Sequence, residues 1–206
     1  MAIGNYTALT NAVVGWLDVA TADVSARLSD LVLTAEHRIM REVRTPEMES
    51  ALSDNITTGG LLPVPTGYIE MKYAYVDGTP TQYLQLVSPS YIYENYPLRS
   101  GEGKPVVMAR DGSNFIFGPY PSSDYTIKGR YYTHLTGIET NTLYTNALLS
   151  ANPDLYLWAT LAESEPLIMR DSRIQLWESK YTLIKERVNG EASRSHYSGN
   201  MSIRLG

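Results

Sequence analysis

Apolar positions near the start of the chain return with a helical period. Leu9, Ala12, Val13, Trp16 and Leu17 stand at i, i+3, i+4, i+7 and i+8, the stripe of a helix lying on a core, and Asn5 or Thr7 is placed to cap it. A second helix is predicted over about 21–44. Val24, Leu28, Leu31, Val32, Ala35, Ile39 and Val43 share one side of it, and Thr21 or Asp23 opens it. Arg38, Arg41 and Arg44 gather toward its end, where cations favour the negative pole of the macrodipole, and Pro46 stops it.

From Ile56 the period changes to two. Ile69, Met71, Tyr73 and Tyr75 alternate with Glu70, Lys72 and Ala74, and Tyr125, Ile127, Gly129, Tyr131 and Thr133 alternate with Thr126, Lys128, Arg130 and Tyr132. Asp77-Gly78 and Asp111-Gly112, each between two apolar runs, read as hairpin turns. Residues 88–97 read as a turn or two of helix, and 136–150 as a loop. Asn152-Pro153-Asp154 then announces a third helix, with Asn as N-cap, Pro at the first helical position and an acid in the first turn. Leu155, Trp158, Ala159 and Ala162 supply its buried face, and Pro166 ends or kinks it. A fourth helix is predicted over about 171–189, carrying Ile174, Trp177, Tyr181, Ile184 and Val188, with Asn189-Gly190 as its C-cap.

Four amphipathic helices must bury their stripes on one another, so the expected fold is α+β: an antiparallel four-helix bundle with an inserted Tyr-rich β lobe and an extended C-terminal tail. The bundle is expected from residues 1–55 and 150–190, the lobe from 56–135 with 136–149 as a connecting loop, and the tail from 191–206. Those last 16 residues hold four Ser and two Gly without a helical stripe. Fully extended they reach roughly 50 Å.

Composition sharpens this picture. Of 16 Tyr, 11 fall between 56 and 135, with eight of the 11 Pro and nine of the 15 Gly. That stretch holds six acidic and six basic residues, so the whole net charge of −5 resides in the flanks. An acidic balance points away from a protein that grips nucleic acid by its phosphates. The chain has no cysteine, which removes thiol catalysis, zinc ribbons, iron–sulfur ligation and disulfides together. No apolar run approaches the ~20 residues of a membrane span and the N-terminus lacks a signal-peptide pattern, so a soluble, non-secreted chain is expected.

Candidate chemistry is sparse. His37, His134 and His196 are scattered, Glu36-His37 is not in an H-E-x-x-H frame, and no metal or cofactor site is expected. There is no G-x-S-x-G, and Gly59-Gly60, Gly101, Gly103 and Gly112 lack the helix and lysine of a phosphate loop. Glu163 and Glu165, the one pair resembling a glycosidase acid set, are two apart on a helix and point to different faces. The Tyr enrichment has three readings: sheet composition, a protein interface, or a platform for a glycan. The tail scatters Arg194, His196, Tyr197, Met201, Ile203, Arg204 and Leu205 among Ser and Gly, anchors for a partner's groove on a segment too polar to fold alone.

Several segments, in order along nearly the whole chain, resemble the head-to-tail adaptor proteins of short-tailed bacteriophages. These are residues 9–17, Ala35-Glu36-His37-Arg38-Ile39-Met40-Arg41-Glu42-Val43-Arg44 with Glu47-Met48-Glu49, Gly103-Lys104-Pro105, and Asp124-Tyr125-Thr126-Ile127 with Tyr131-Tyr132. The most specific is Asn152-Pro153-Asp154-Leu155-Tyr156-Leu157-Trp158 with Glu163 and Pro166-Leu167; Trp177-Glu178-Ser179-Lys180-Tyr181 and Arg194-Ser195-His196-Tyr197-Ser198-Gly199 complete the series. The resemblance implies a non-enzymatic virion protein made in the bacterial host cytoplasm and placed in the neck. It implies a twelvefold ring of neighbouring adaptor subunits beneath the portal protein, with the tail of each subunit, from Arg194 to Leu205, docked in portal clefts. It further implies that DNA passes through the channel without specific binding, that a tail nozzle or other tail component attaches below, and that no membrane takes part. Acidic flanks suit a conduit, since a strongly basic wall would hold passing DNA. The alternative expectation is a cell-wall glycan hydrolase, with Glu163 as proton donor, or a carbohydrate-binding tail protein.

Overall fold

The computed structural model describes residues 3–17, 27–98, 103–140, 143–164 and 172–196. Along them lie α1 (Tyr6–Leu17), α2 (Leu28–Glu42), a 3₁₀ turn (Pro46–Met48), β1 (Glu49–Ile56), β2 (Leu61–Pro63), β3 (Tyr68–Val76), β4 (Gln82–Leu86) and α3 (Pro89–Asn95). After these come β5 (Val107–Asp111), β6 (Asn114–Gly118), β7 (Tyr125–Thr133), α4 (Ala147–Ala151), α5 (Pro153–Ala162) and α6 (Arg173–His196). The chain divides into two compact units, residues 1–48 with 135–206, and residues 49–134.

The helical unit is built on α5. Leu155, Tyr156, Leu157, Ala159, Thr160, Leu161 and Ala162 are all buried, so this ten-residue helix has almost no polar face. A helix apolar all round needs partners on several sides, and α1, α2 and α6 each pack on it. The expected antiparallel four-helix bundle is therefore wrong: it requires four equivalent stripes meeting at one seam, whereas here three helices surround a fourth. α2 and α6 also run in the same direction, since Arg38, Glu42 and Arg44 meet Glu178, Lys185 and Asn189 in ascending order.

Local capping is only partly as the pattern suggests. Asn5 does cap α1, its Oδ1 accepting the Ala8 N–H at 2.8 Å. Asn152 makes no side-chain cap on α5. Instead Asn146 caps α4, a helix inside the stretch expected to be loop, with Oδ1 accepting from Leu149 N–H at 2.8 Å and Nδ2 donating to the buried Tyr156 hydroxyl at 3.0 Å. At the far end, α6 runs through Asn189-Gly190 to His196, so the extended tail does not begin at 191. A helical Gly costs only about 1 kcal/mol relative to Ala, and Val188 and Ala192 on either side are buried. Asn189 serves α2 rather than its own helix: Oδ1 accepts the Arg44 N–H and Nδ2 donates to the Glu42 carbonyl, both at 3.0 Å.

The second unit replaces a simple inserted lobe with a seven-stranded mixed sheet in the order β1-β7-β3-β4-β5-β6-β2, nearly closed because β1 and β2 at its two ends come near each other. Every strand pair is antiparallel except β4–β5. Alternation sorts the side chains: Leu52, Ile56, Met71, Leu84, Phe115, Phe117 and Ile127 fill the interior, while Val107, Ala109 and Ile116 turn outward to Ile92 of α3. Gly129 is required where β7 crosses β3, since a Cβ there would stand 2.3 Å from the Tyr73 carbonyl oxygen. β1 escapes a pattern search because only Leu52 and Ile56 among its eight residues are buried, four apart rather than two. The two hairpin turns form as expected, at Val76↔Gln82 and Asp111↔Asn114.

Removing the side chain that closes α2 tests this arrangement. Asn189→Ala deletes two hydrogen bonds to backbone groups and is expected to lower unfolding free energy by about 1–2 kcal/mol in urea titrations. Asn189→Asp, which keeps the acceptor for Arg44 N–H but loses the donor, is expected to fall between the two.

Candidate partner-binding surfaces

Arg38 sits where three helices of the first unit converge. Its guanidinium makes two bonds to Glu178 of α6, Nη1 to Oε2 at 2.9 Å and Nη2 to Oε1, and also reaches Glu163 at the end of α5 at 3.1 Å and Glu42 at 3.2 Å. A planar fork of five donors can hold one carboxylate through two bonds and still reach others, a geometry that a lysine ammonium does not offer. The same group lies 4.3 Å from the centre of the Tyr181 ring. Glu42 in turn accepts from Lys185 at 2.7 Å and from the Tyr181 hydroxyl at 3.3 Å.

These contacts set the electrostatics. The hydrogen bonds that Arg38 donates to Glu178 hold its proton more firmly than usual, outweighing burial. Burial pushes the Glu42 carboxyl up, but the hydrogen bonds from Lys185 and Arg38 win and hold it below its ordinary range. Tyr181 is pushed up by burial first and then by the charge of Glu42. Glu36, six residues before Glu42 on α2, is the opposite case. It is 4% exposed and its Oε1 accepts the Ile138 N–H at 3.0 Å. Burial raises its pKa, only partly offset by that bond, and the charge of Glu139 adds to the rise.

Two grooves open on this unit. One, of about 550 Å³, lies against Ala12, Gly15, Trp16 and Leu157, where Trp16 is half exposed and leans on Trp158 at 5.4 Å. The other, of about 190 Å³, lies beside the end of α6, between Thr45, Pro46 and Asn152 on one side and Val188, Glu191 and Ala192 on the other. α6 ends on an exposed charged stripe of Arg187, Glu191 and Arg194, with Arg187 bonded to Asp154 at 2.8 Å. Of the anchors singled out in the tail, Arg194 is thus solvent-facing on the last turns of α6 and the backbone of His196 is helical. The His196 side chain, Tyr197, Met201, Ile203, Arg204 and Leu205 lie outside the described residues, as does Glu165.

The remaining candidates are dispersed. His37 is exposed on α2, and His134 follows β7 with its N–H on the Gly67 carbonyl at 2.8 Å. Among the described residues no group of His, Asp or Glu side chains is placed to hold a metal ion, and no helix is long and apolar enough to cross a membrane. In the sheet unit the tyrosines divide between structure and surface. Tyr131 is buried in the core, whereas Tyr73, Tyr83, Tyr91 and Tyr93 are exposed.

Sequence segments that carry the resemblance to phage adaptors, around 35–44, Glu163 and 177–181, thus meet at the Arg38 cluster. A family model described as SU10 adaptor protein matches residues 4–204. The chain belongs to the SU10 adaptor protein family. No curated protein matches it. The family is one of structural phage adaptors rather than enzymes.

In this SU10 adaptor the Arg38 cluster was not singled out from sequence as a unit, although half of it was visible. Arg38 and Glu42 stand at i, i+4 on α2, and Glu178, Tyr181 and Lys185 at i, i+3 and i+7 on α6. What sequence does not provide is the pairing of those two faces.

Half-buried Glu42 and buried Glu36 predict opposite pH dependences. Glu42, held below the unfolded value of about 4.3, contributes stability that is fully present above that pH and lost as pH falls through its folded pKa. Glu36, raised in the folded state, costs stability as pH rises from about 4.3 through its folded pKa. Urea unfolding between pH 3 and pH 8 is expected to show Glu42→Gln less stable than the parent at neutral pH with the gap closing in acid. Glu36→Gln is expected to gain on the parent as pH rises.

Proposed function

We propose that this SU10 adaptor is a structural connector of a short-tailed phage, assembling as a twelvefold ring beneath the portal protein, lengthening the DNA channel and presenting a platform for the next tail component. The observation that carries the reading is the span of the family match, 4–204, which takes in both halves of the helical unit, the sheet unit and the tail as far as Arg204. A family of structural adaptors supplies the coarse role, and the resemblance to the adaptors of short-tailed phages suggests the details.

The proposed portal contact is made by Arg194, His196, Tyr197, Met201, Ile203, Arg204 and Leu205. α6 is a 24-residue helix, about 36 Å long at 1.5 Å per residue. That helix is packed along most of its length, with Trp177, Tyr181, Ile184, Val188 and Ala192 buried, so the start of the anchor set stands on a rigid base. Ten further residues follow it, a reach of about 33 Å if extended. Net charge of −5 suits a conduit through which DNA passes without specific binding. The subunit is placed in the virion neck, after synthesis in the host cytoplasm.

Truncation after His196 is the direct test. The shortened chain is expected to unfold at the same denaturant concentration as the parent, because Ala192 and the packed part of α6 are retained, yet to lose co-sedimentation with purified portal rings. Normal co-sedimentation of the truncated chain would refute the tail as the portal contact.

A further inference from the structure

Gly190 has no reason to be glycine in the helix that contains it. A Cβ added there meets nothing within 4 Å, and α6 carries the residue in ordinary helical geometry. A helical Gly disfavours the helix about fivefold relative to Ala. Neither packing nor backbone conformation offsets that cost. Glycine is useful in the other arrangement that Asn189-Gly190 encodes, a helix ending at Asn189 with Gly190 turned to positive φ just beyond it.

A second observation falls at the same place. Thr45, just after α2, is 2% exposed, and its hydroxyl is shut away from the surface with no hydrogen-bond partner among the described residues. It lines the cavity of about 190 Å³ whose other wall is Val188, Glu191 and Ala192. A buried hydroxyl without a partner works against the state that buries it. Withdrawing Glu191 and Ala192 removes part of that wall and lets water reach the hydroxyl. Ala192 is the one buried side chain among 191–194, and the Ser193 hydroxyl bonds to the Asn189 carbonyl at 2.9 Å, a contact that water replaces. The withdrawal has a defined limit, because Val188 is buried and the Asn189 side chain is tied to the Arg44 N–H and the Glu42 carbonyl.

The spacing of the anchor residues agrees. Around a helix positions 194 and 196 stand about 200° apart, so a groove that takes one leaves the other behind. In an extended chain Arg194, His196 and Arg204 share one side, and Tyr197, Met201, Ile203 and Leu205, all at odd positions, share the opposite one.

We propose that α6 has two alternative ends, His196 in the free subunit and Asn189 in the portal-bound subunit, with residues 191–196 leaving the helix as the tail enters the portal cleft. The change lengthens the extended segment from ten residues to sixteen, from about 33 Å to about 53 Å. The trigger rests on the portal reading above, whereas the latent helix end rests on Gly190 and Thr45.

Amide exchange in the full chain tests the latent end without any portal. Amides of 192–196 are expected to open together, with a step in protection at Gly190, while those of 181–188 stay protected. Gly190→Ala, which favours the helix, and Thr45→Val, which keeps the volume and removes the hydroxyl, are each expected to slow that opening about fivefold. Protection that fades gradually with no step at Gly190, or that ignores both substitutions, overturns the proposal. Binding to purified portal rings tests the trigger. Gly190→Ala is expected to weaken it more than tenfold and Thr45→Val about fivefold, whereas Gly190→Asn, which tolerates positive φ, is expected to stay within about threefold of the parent. A density map of the assembled neck in which α6 is helical through His196 while the tail lies in the portal overturns the proposal and leaves the connector reading intact. A parent chain that does not bind portal rings overturns that reading and the trigger with it, and the exchange result still decides the latent end.

Discussion

The helical unit depends on one constraint, that α5 has no polar face to give to water. A helix whose seven buried residues point in nearly every direction loses roughly 25 cal/mol for each Å² of apolar surface left uncovered. One neighbour cannot cover it. The chain supplies α1 and α2 before the sheet unit in sequence and α6 after it, and the stability of each depends on the same short central helix. This explains why a stretch of only ten residues carries the most specific part of the family resemblance.

Where α5 ends, the problem reverses, because carbonyl groups and carboxylates emerge from an apolar core. The Arg38 guanidinium addresses it by binding Glu163 at the exit, Glu178 on α6 and Glu42 on its own helix, with the Tyr181 ring beneath. Partly buried groups that are all paired can specify one arrangement of helices in a way that interchangeable apolar contacts do not. Asn189 and Asn146 act similarly on a smaller scale: Asn189 completes the hydrogen bonding at the end of α2, and Asn146 caps α4 while also bonding the Tyr156 hydroxyl of α5. Together these polar links fix α6 against the core.

The sheet unit solves its packing differently. Seven short strands sort inside from outside by simple alternation, and α3 covers the part of the outer face that is apolar. The price is a seam. β4 serves two neighbours and is too short to serve either along its full length, and Pro89 ends its ladder with β5. The exposed tyrosines, by contrast, reflect a composition that suits strands and surfaces alike, and their enrichment alone does not distinguish one face of the sheet from another.

Local periodicity determined a good deal. The stripes of α1, α2, α5 and α6, the alternation of β3 and β7, the Asp-Gly turns and the short α3 are each written within a dozen neighbouring residues, and the lack of cysteine and the polar, anchor-bearing tail are matters of composition. Tertiary structure decided the rest. β1 shows two buried residues four apart and is a strand only because β7 offers it a ladder, and α4 exists because Asn146 finds both Leu149 and Tyr156. Gly190 was readable as a helix end, yet Asn189 is engaged with α2 some 145 positions earlier, and α6 continues to the residues that begin the proposed portal contact. Which polar group satisfies which is a question of partners distant in sequence. A chain records its own periods locally, but the partners of its buried charges and of its strands are set only when distant segments are brought within hydrogen-bonding range.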